Sequence, residues 1–172
     1  AIQAWVEAHT SQSEFLVGLG GEHTVTVPIV SALKTRFGPP TIVQIDAHAD
    51  LRDSYEGSRY SHACVARRLL ELGCDIIQVG VRARSAEEIA LSAEHPAISS
   101  FTGREIARDP AGFSAAFFAL LMRITGPVYL TLDVDGLDPS VCPGTGTPVP
   151  GGLGYYLAVD LIDQLFSSCD VV

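Results

Sequence analysis

Short apolar runs alternate with longer segments of helical periodicity along most of the chain. Each run is apolar at nearly every position, which is typical of a strand that is buried on both faces of a parallel sheet. The predicted strands are residues 15–19, 41–45, 76–80, 97–101 and 128–132. The predicted helices are residues 24–37, 61–72, 85–93, 110–123 and 155–167. This order predicts an α/β fold of three layers, α/β/α, with a mostly parallel central sheet.

The chain has 172 residues, and a single domain usually has roughly 100–200. No repeat or linker divides the sequence, so we expect one domain over residues 1–172. Residues 136–154 are rich in glycine and proline and show no periodicity; loops of this length inside a compact domain are usually functional or disordered. The chain starts inside a helical pattern and stops at an apolar run typical of the first half of a strand. We therefore expect a fragment that lacks N- and C-terminal parts.

The chain is acidic, with a formal net charge of −9 from 20 acidic and 11 basic residues. This balance argues against nucleic acid as a partner and favours metal ions or a cationic substrate. No apolar run approaches the roughly 20 residues that a membrane span requires, and the first ten residues do not resemble a signal peptide. The cysteines lie in apolar segments without CxxC spacing, and we expect them to be reduced thiols of a cytoplasmic protein. They are Cys64, Cys74, Cys142 and Cys169.

Carboxylates and imidazoles are concentrated where predicted strands end. Along extended backbone, alternate side chains point to the same side, so the residues of each group can converge. The carboxyl ends of parallel strands also meet at one edge of a sheet, where α/β proteins bind ligands. One further histidine follows a Gly-Gly-Glu turn at the end of the first predicted strand. The candidate residues are His23, Asp46, His48, Asp50, Asp133 and Asp135.

Four carboxylates at one edge repel one another unless cations neutralise them. A set of four aspartates and two histidines is rich in oxygen and suits Mn²⁺ better than Zn²⁺. Two such cations can share a water and lower its pKa. The sequence therefore predicts metal-assisted hydrolysis with two Mn²⁺ ions per chain. Each motif alone is more often a strand-end cap, a structural histidine or a turn, and only their combination favours a metal site.

Three motifs resemble, in order and spacing, the signature motifs of the ureohydrolases, the family of arginase and agmatinase. They are Gly20-Gly21-Glu22-His23, Asp46-Ala47-His48-Ala49-Asp50 and Thr131-Leu132-Asp133-Val134-Asp135-Gly136-Leu137-Asp138-Pro139. The loop at residues 143–148 is also similar to the loop that follows in that family. The resemblance covers nearly the whole chain and implies an arginase-like fold.

The resemblance also implies a role for each candidate. One Mn²⁺ would be held by His23, Asp46, Asp50 and Asp133, and the other by Asp46, His48, Asp133 and Asp135. A hydroxide between them would attack the guanidinium carbon, and the tetrahedral intermediate would collapse to urea and an amine. His62 aligns with the histidine proposed there as a proton shuttle, and an imidazole can give a proton to a leaving amine. Without the resemblance, His62 is an ordinary histidine at a helix N-terminus. Asp138 is interpreted as part of the loop geometry.

Residues 51–62 and 78–82 resemble agmatinases more than arginases. The resemblance thus implies a small cationic guanidino substrate, with hydrolysis of agmatine to putrescine and urea as the expected reaction. Guanidinobutyrate and arginine remain open as substrates. Family members are usually trimers or hexamers, so a homo-oligomer is expected.

Two departures from the family pattern stand out. Thr131 replaces a residue that is more often serine, which we expect to matter little. The family's guanidinium-binding glutamate lies a few residues beyond Val172, so we expect it to be absent here. Two other interpretations also stay open: a non-catalytic homologue that keeps the fold, and a hydrolase of similar architecture with one Zn²⁺, such as a deacetylase.

Overall fold

A parallel β-sheet forms the centre of the computed structural model, which describes residues 1–10 and 15–172. Within these residues the strands are β1 (Thr41–Ile45), β2 (Ile76–Val81), β3 (Ile98–Thr102) and β4 (Val128–Leu132). Their order across the sheet is β3-β2-β1-β4, and each neighbouring pair is parallel. The α/β class and the parallel sheet are therefore confirmed.

Helices cover both faces of this sheet. They are α1 (Ile2–His9), α2 (Thr26–Phe37), α3 (Val65–Glu71), α4 (Ala86–Glu94), α5 (Gly103–Arg108), α6 (Pro110–Leu121) and α7 (Tyr155–Ser168). Short 3₁₀ helices lie at His23–Val25, His62–Cys64 and Val134–Gly136. No helix in the described ranges combines the length and the apolar character that crossing a bilayer requires.

Two apolar cores, one on each face of the sheet, account for the three layers. Ile42 of β1 packs with residues of α1, α2 and α3, such as Leu33 and Leu69. Its neighbour Val43 packs with residues of α5, α6 and α7, such as Phe117. This division follows from the alternation of side chains along a strand. The predicted α/β/α layering is confirmed.

The strand order places a topological switch point between β1 and β4. From β1 the chain proceeds outward to β2 and β3, and it then returns to add β4 on the other side of β1. At such a point, adjacent connections leave toward opposite faces of the sheet and open a crevice at the carboxyl ends of the strands. Asp46 directly follows β1 and Asp133 directly follows β4, so both lie at the mouth of this crevice.

One secondary-structure prediction was wrong, and one helix was not predicted. No strand forms over residues 15–19, where Phe15, Val17 and Leu19 are exposed. An apolar run becomes a strand only when a neighbouring strand pairs with it, and its composition does not reveal that partner. The helix α5 was not predicted, although Thr102 and Glu105 form a capping box at its start. Threonine followed three residues later by glutamate is a helix-start signal that the sequence contains.

The cysteines and the last residues of the chain occupy defined places in the fold. All four cysteines, each within the described ranges, are free, and Cys64 and Cys74 are buried. Val171 forms a parallel bridge to Val128. The run that ends the sequence is thus extended and lies beside β4.

Candidate metal centre

The loop that follows β1 turns sharply and directs three candidate side chains to one side. Asp46 is buried at the end of the strand, and its Oδ1 accepts a hydrogen bond from the backbone N–H of His48 at 2.7 Å. His48 also forms a parallel bridge with Ala83, beyond the end of β2. Asp50 has a φ of 53°, a left-handed conformation that aspartate tolerates better than most residues. This turn brings the buried Asp50 side chain back toward Asp46.

The other candidates come from two distant segments of the chain. Asp133 caps the 3₁₀ helix that follows β4, where it accepts from the backbone N–H of Asp135 at 3.2 Å. Asp135 is buried, and its Oδ1 accepts from the backbone N–H of Ala47 at 3.1 Å. His23 is buried at the start of the 3₁₀ helix that leads into α2. Three segments therefore contribute to one cluster.

Five of the six side chains form two groups that share Asp46, and the sixth, Asp50, contacts His23 beside the first group. His23 Nδ1 lies 2.8 Å from Asp50 Oδ2, 3.1 Å from Asp46 Oδ2 and 3.8 Å from Asp133 Oδ2. His48 Nδ1 lies 3.1 Å from Asp135 Oδ2 and 3.5 Å from Asp46 Oδ1. In the groups His23–Asp46–Asp133 and Asp46–His48–Asp135, the potential ligand atoms all lie within 4.8 Å of one another. The structure thus brings all six predicted residues together, and their roles as metal ligands remain a prediction.

The carboxylates hold both imidazoles in their charged form. Burial alone would lower the pKa of His23, but hydrogen bonds to Asp46 and Asp50 raise it to about 10. Hydrogen bonds to Asp135 and Asp46 raise the pKa of His48 to about 10 as well. Both rings therefore carry positive charge at neutral pH in the metal-free protein.

The aspartates respond differently to the crowding of negative charge. Burial raises the pKa of Asp50 to about 6, and the charge of Asp46 contributes to this. Burial and the charge of Asp46 also raise the pKa of Asp133. Burial opposes ionisation of Asp46 too, but hydrogen bonds with His23 and His48 hold its pKa well below the usual range. A cluster that takes up protons to offset its charge can be neutralised by divalent cations instead, and this oxygen-rich donor set fits ions such as Mn²⁺.

Several hydrogen bonds to the candidate ligand residues were not predicted from the sequence. His23 Nε2 lies 2.9 Å from the hydroxyl of Thr131, so Nε2–H can donate there while Nδ1 faces the carboxylates. Thr147 donates to Asp135 Oδ2 at 2.9 Å. Arg82 donates to the carbonyl of Asp135 at 2.6 Å, and Gln44 donates to Asp46 Oδ2 at 2.9 Å. Gln44 and Thr131 had a local signal, because each is a polar residue in an otherwise apolar strand.

A cavity of about 840 Å³ opens over the cluster and includes His62. His62 is exposed at the start of its 3₁₀ helix, and its ring meets the edge of the Tyr55 ring with 5.8 Å between the centroids. Residues 144–147 form another part of the wall. His62 therefore faces the same space as the carboxylates without belonging to their cluster, and its role as a proton shuttle remains a prediction.

Asp138 has the loop role that was expected from the sequence. Its Oδ2 accepts from the backbone N–H groups of Gly151 and Gly152 at 2.8 and 3.1 Å, and Leu137 forms a parallel bridge with Leu153. Hydrogen bonds from Ser140 and these glycines hold the pKa of Asp138 below its usual range. The carboxylate thus closes the glycine- and proline-rich loop at its base.

Comparison with known proteins gives a consistent result. A sequence model of the Arginase family matches residues 1–172. The N(1)-aminopropylagmatine ureohydrolase of Synechocystis sp. is 43% identical over 160 residues, which are 92% of this chain and 51% of the relative. The agmatinase of Pyrococcus horikoshii is 42% identical over 147 residues, 86% of this chain and 48% of the relative. The crystal structure of agmatine ureohydrolase of Thermoplasma volcanium has a TM-score of 0.82 and 33% identity, and the match covers 99% of this chain and 56% of that one. The chain therefore spans about half the length of the curated relatives it matches.

Proposed function

This chain belongs to the arginase family, and on that premise we propose that it carries the binuclear manganese centre of a ureohydrolase. The observation that carries the proposal is the meeting of six ligand-type side chains: five in two groups that share Asp46, and Asp50 in contact with His23. The proposed reaction is hydrolysis of a small cationic guanidino compound to urea and an amine. The first candidate substrate is agmatine, which would yield putrescine.

A second candidate substrate is N(1)-aminopropylagmatine, because a similar relative is named for that compound. Both molecules carry a guanidino group and an amine tail, so both are cationic and suit an acidic protein. Guanidinobutyrate and arginine carry a carboxylate instead of, or in addition to, the amine. If the protein also hydrolyses these two compounds, its substrate class includes carboxylates. If it does not, the class is limited to amine-tailed guanidino compounds.

The proposed ligands divide into two sets with two shared members. One Mn²⁺ would be held by His23, Asp46, Asp50 and Asp133, and the second by Asp46, His48, Asp133 and Asp135. When bound, the two Mn²⁺ ions would offset the carboxylate charge and lower the pKa of a water molecule enough for it to attack near neutral pH. Backbone hydrogen bonds hold Asp46, which follows β1, and Asp133 and Asp135, which follow β4, in position.

His62 would move the proton that the reaction requires. Water adds to the guanidinium carbon, the bond from that carbon to the substituted nitrogen breaks, and this nitrogen needs a proton to leave as an amine. An exposed imidazole on the cavity wall is suited to deliver it. The His62 ring packs against the Tyr55 ring in a T-shaped arrangement.

The remaining properties belong to the same proposal. We place the protein in the cytoplasm, where free thiols persist in the reduced state. We also propose a homo-oligomer, either a trimer or a hexamer.

The test is a urea-release assay on the whole protein with agmatine, N(1)-aminopropylagmatine, guanidinobutyrate and arginine. We expect release from the amine-tailed substrates only after Mn²⁺ is added to chelator-treated protein. We expect His62→Ala to lower kcat by about 10²–10⁴-fold with Mn²⁺ binding unchanged, and Asp133→Ala to lose Mn²⁺. His9→Ala, at an exposed position on α1, is the matched control.

Three results would contradict the proposal. Full urea release by the metal-stripped protein would exclude a metal-dependent reaction. Two bound Mn²⁺ ions without turnover of any of the four compounds would favour a non-catalytic homologue. One bound Zn²⁺ per chain would favour the deacetylase-like alternative.

A further inference from the structure

Two glutamines lie side by side inside the sheet, next to the carboxylate cluster. Gln44 of β1 and Gln78 of β2 are register partners in the parallel pair, and their exposed fractions are 1% and 0%. Burial of an amide is unfavourable unless its donors and acceptor are hydrogen-bonded. The hydrogen bonds of these two amides therefore explain why glutamines occur in otherwise apolar strands.

Most of the amide donors of this pair point to the loop that holds the candidate ligands. Gln44 Nε2 donates to Asp46 Oδ2 at 2.9 Å and to the carbonyl of His48 at 3.4 Å. Gln78 Nε2 donates to the carbonyl of Ala49 at 2.7 Å and to Gln44 Oε1 at 2.9 Å. Both glutamines are thus connected to the 46–50 loop, Gln44 through a carboxylate and Gln78 through a backbone carbonyl.

The chemistry of the end groups determines the orientation of both amides. An ionised carboxylate only accepts hydrogen bonds, so Gln44 must present its NH₂ group to Asp46 and its oxygen to Gln78. Gln78 must then present its own NH₂ group to Gln44 and to the Ala49 carbonyl. Gln78 Oε1 is buried without a hydrogen-bond partner among the described residues, which is the consequence of directing both hydrogens this way.

The two oxygens of Asp46 face different candidate metal groups. Oδ2, which accepts from Gln44, lies 3.1 Å from His23 Nδ1. Oδ1 lies 3.5 Å from His48 Nδ1. Rotation of this carboxylate would therefore disturb both groups at once.

We propose that Gln44 and Gln78 are positioning residues for the metal centre, which orient the shared Asp46 carboxylate and the loop that follows it. Gln44 prevents rotation of the carboxylate, and Gln78 holds both the Gln44 amide and the Ala49 carbonyl in place. Neither glutamine is among the six ligand-type residues. The inference rests on the proposed function, because it assumes that Asp46 binds both metal ions.

The experiment measures Mn²⁺ affinity by calorimetry on the metal-stripped whole protein. Gln44→Met keeps a similar side-chain length and removes the donor, and we expect Mn²⁺ affinity to fall by about 10–100-fold. Gln44→Glu places an acceptor against Asp46 Oδ2, and we expect a loss at least as large. Gln78→Met leaves the bond from Gln44 to Asp46 intact, so its loss should be smaller. Ser100→Ala is the control, because Ser100 is the register partner of Gln78 on β3 and its hydroxyl is buried.

Thermal unfolding of the same metal-free variants separates positioning from simple stabilisation of the sheet. If Gln44→Met and Gln44→Glu lower the unfolding temperature but bind Mn²⁺ within about twofold of the wild type, the inference is overturned. If Gln44→Met does not fold, Gln44→Glu and Gln78→Met decide by the same criterion. A wild-type protein that binds no Mn²⁺ would overturn the proposed function and this inference together, whereas equal binding by wild type and variants overturns the inference alone.

Discussion

If His23 and His48 bind metal as proposed, protons and divalent cations compete for the same nitrogen atoms. In the metal-free protein, neighbouring carboxylates raise the pKa of both imidazoles to about 10. An imidazole nitrogen must lose its proton before it can bind a metal. Because both folded pKa values exceed the value of about 6.5 expected in the unfolded chain, protonation stabilises the metal-free fold fully below pH 6.5. This stabilisation is lost as the pH rises through about 10.

We therefore predict that Mn²⁺ binding at pH 7 releases about two protons per chain, one from each imidazole. Mn²⁺ affinity should rise as the pH increases from 7 toward 9, and it should fall further below pH 6 because Asp50, with a pKa of about 6, then binds a proton. Calorimetry in buffers of different ionisation enthalpy measures the proton count. His48→Asn should reduce the count by about one. Binding without proton release at pH 7 would show that the imidazoles are not ligands.

The convergence of the candidate side chains that follow each strand could be predicted from the sequence, because those residues are close together in the chain. Their binding of metal ions stays a prediction. Asp46, His48 and Asp50 occupy alternate positions after one apolar strand, so their convergence follows from strand geometry. The residues that support them lack such a pattern. Thr131, which was expected to matter little, contacts His23 from 108 positions away, and only the folded chain places that hydroxyl beside the imidazole.

At the scale of secondary-structure elements, prediction succeeded where local pattern and tertiary partner agree. The strands β1 to β4 overlap the predicted strands, although β3 contains two serines and is only partly buried. The helix α2 ends where Gly38 adopts a φ of 80°, as the sequence Gly38-Pro39-Pro40 suggests. Residues 15–19 have a similar composition but no strand beside them in the described part of the chain. Whether such a run forms a strand depends on a neighbouring strand that pairs with it, and the composition of the run does not determine this.

Arg82, which directly follows β2, connects that strand to the segment that follows β4. Its guanidinium donates to the carbonyls of Asp135 at 2.6 Å, Leu137 at 3.2 Å and Val149 at 2.6 Å. A planar guanidinium can reach several fixed carbonyls at once, and an ammonium group on a flexible stem cannot reproduce that arrangement. Arg82 therefore joins both sides of the 136–154 loop.

We predict that Arg82→Lys lowers the free energy of unfolding by about 1.5–3 kcal/mol, because several part-buried carbonyls lose a charged donor. Cleavage within residues 136–154 by a protease of broad specificity should become faster as well. Urea unfolding of the metal-free protein and limited proteolysis measure the two effects. Arg108→Lys, an exposed position at the end of α5, should change neither. Equal stability of the two variants would contradict a structural role for the Arg82 guanidinium.

At the scale of the whole molecule, the fold brings together segments that are distant in the chain. His23 precedes α2, Asp46 follows β1 and Asp133 follows β4, and they meet at the switch point of the sheet. The layered fold and the resemblance of three motifs predicted this meeting. The substrate cannot be read in the same way, because the chain spans about half the length of its curated relatives and selectivity depends on the whole wall of the cavity.

Divalent cations should therefore stabilise the folded molecule as a whole. The ligands come from three segments that separate on unfolding, so an ion held by all of them binds the folded state far better than the unfolded chain. At a free Mn²⁺ concentration 100 times the Kd, one site contributes about 2.7 kcal/mol. For a chain of this size, we predict an increase in Tm of about 5–10 °C. Thermal unfolding followed by circular dichroism, with and without chelator, measures the shift.

Two variants test whether the increase in Tm requires the Asp46 carboxylate. Asp46→Asn removes a charge from both groups, and the increase in Tm should nearly disappear. Asp53→Asn removes an aspartate that pairs with Arg68 outside the cluster, and it should retain the full increase even if its metal-free Tm differs. An equal increase in the wild type and in Asp46→Asn would place the stabilising ion elsewhere on this acidic chain, because Asp46 belongs to both groups and to both proposed ligand sets.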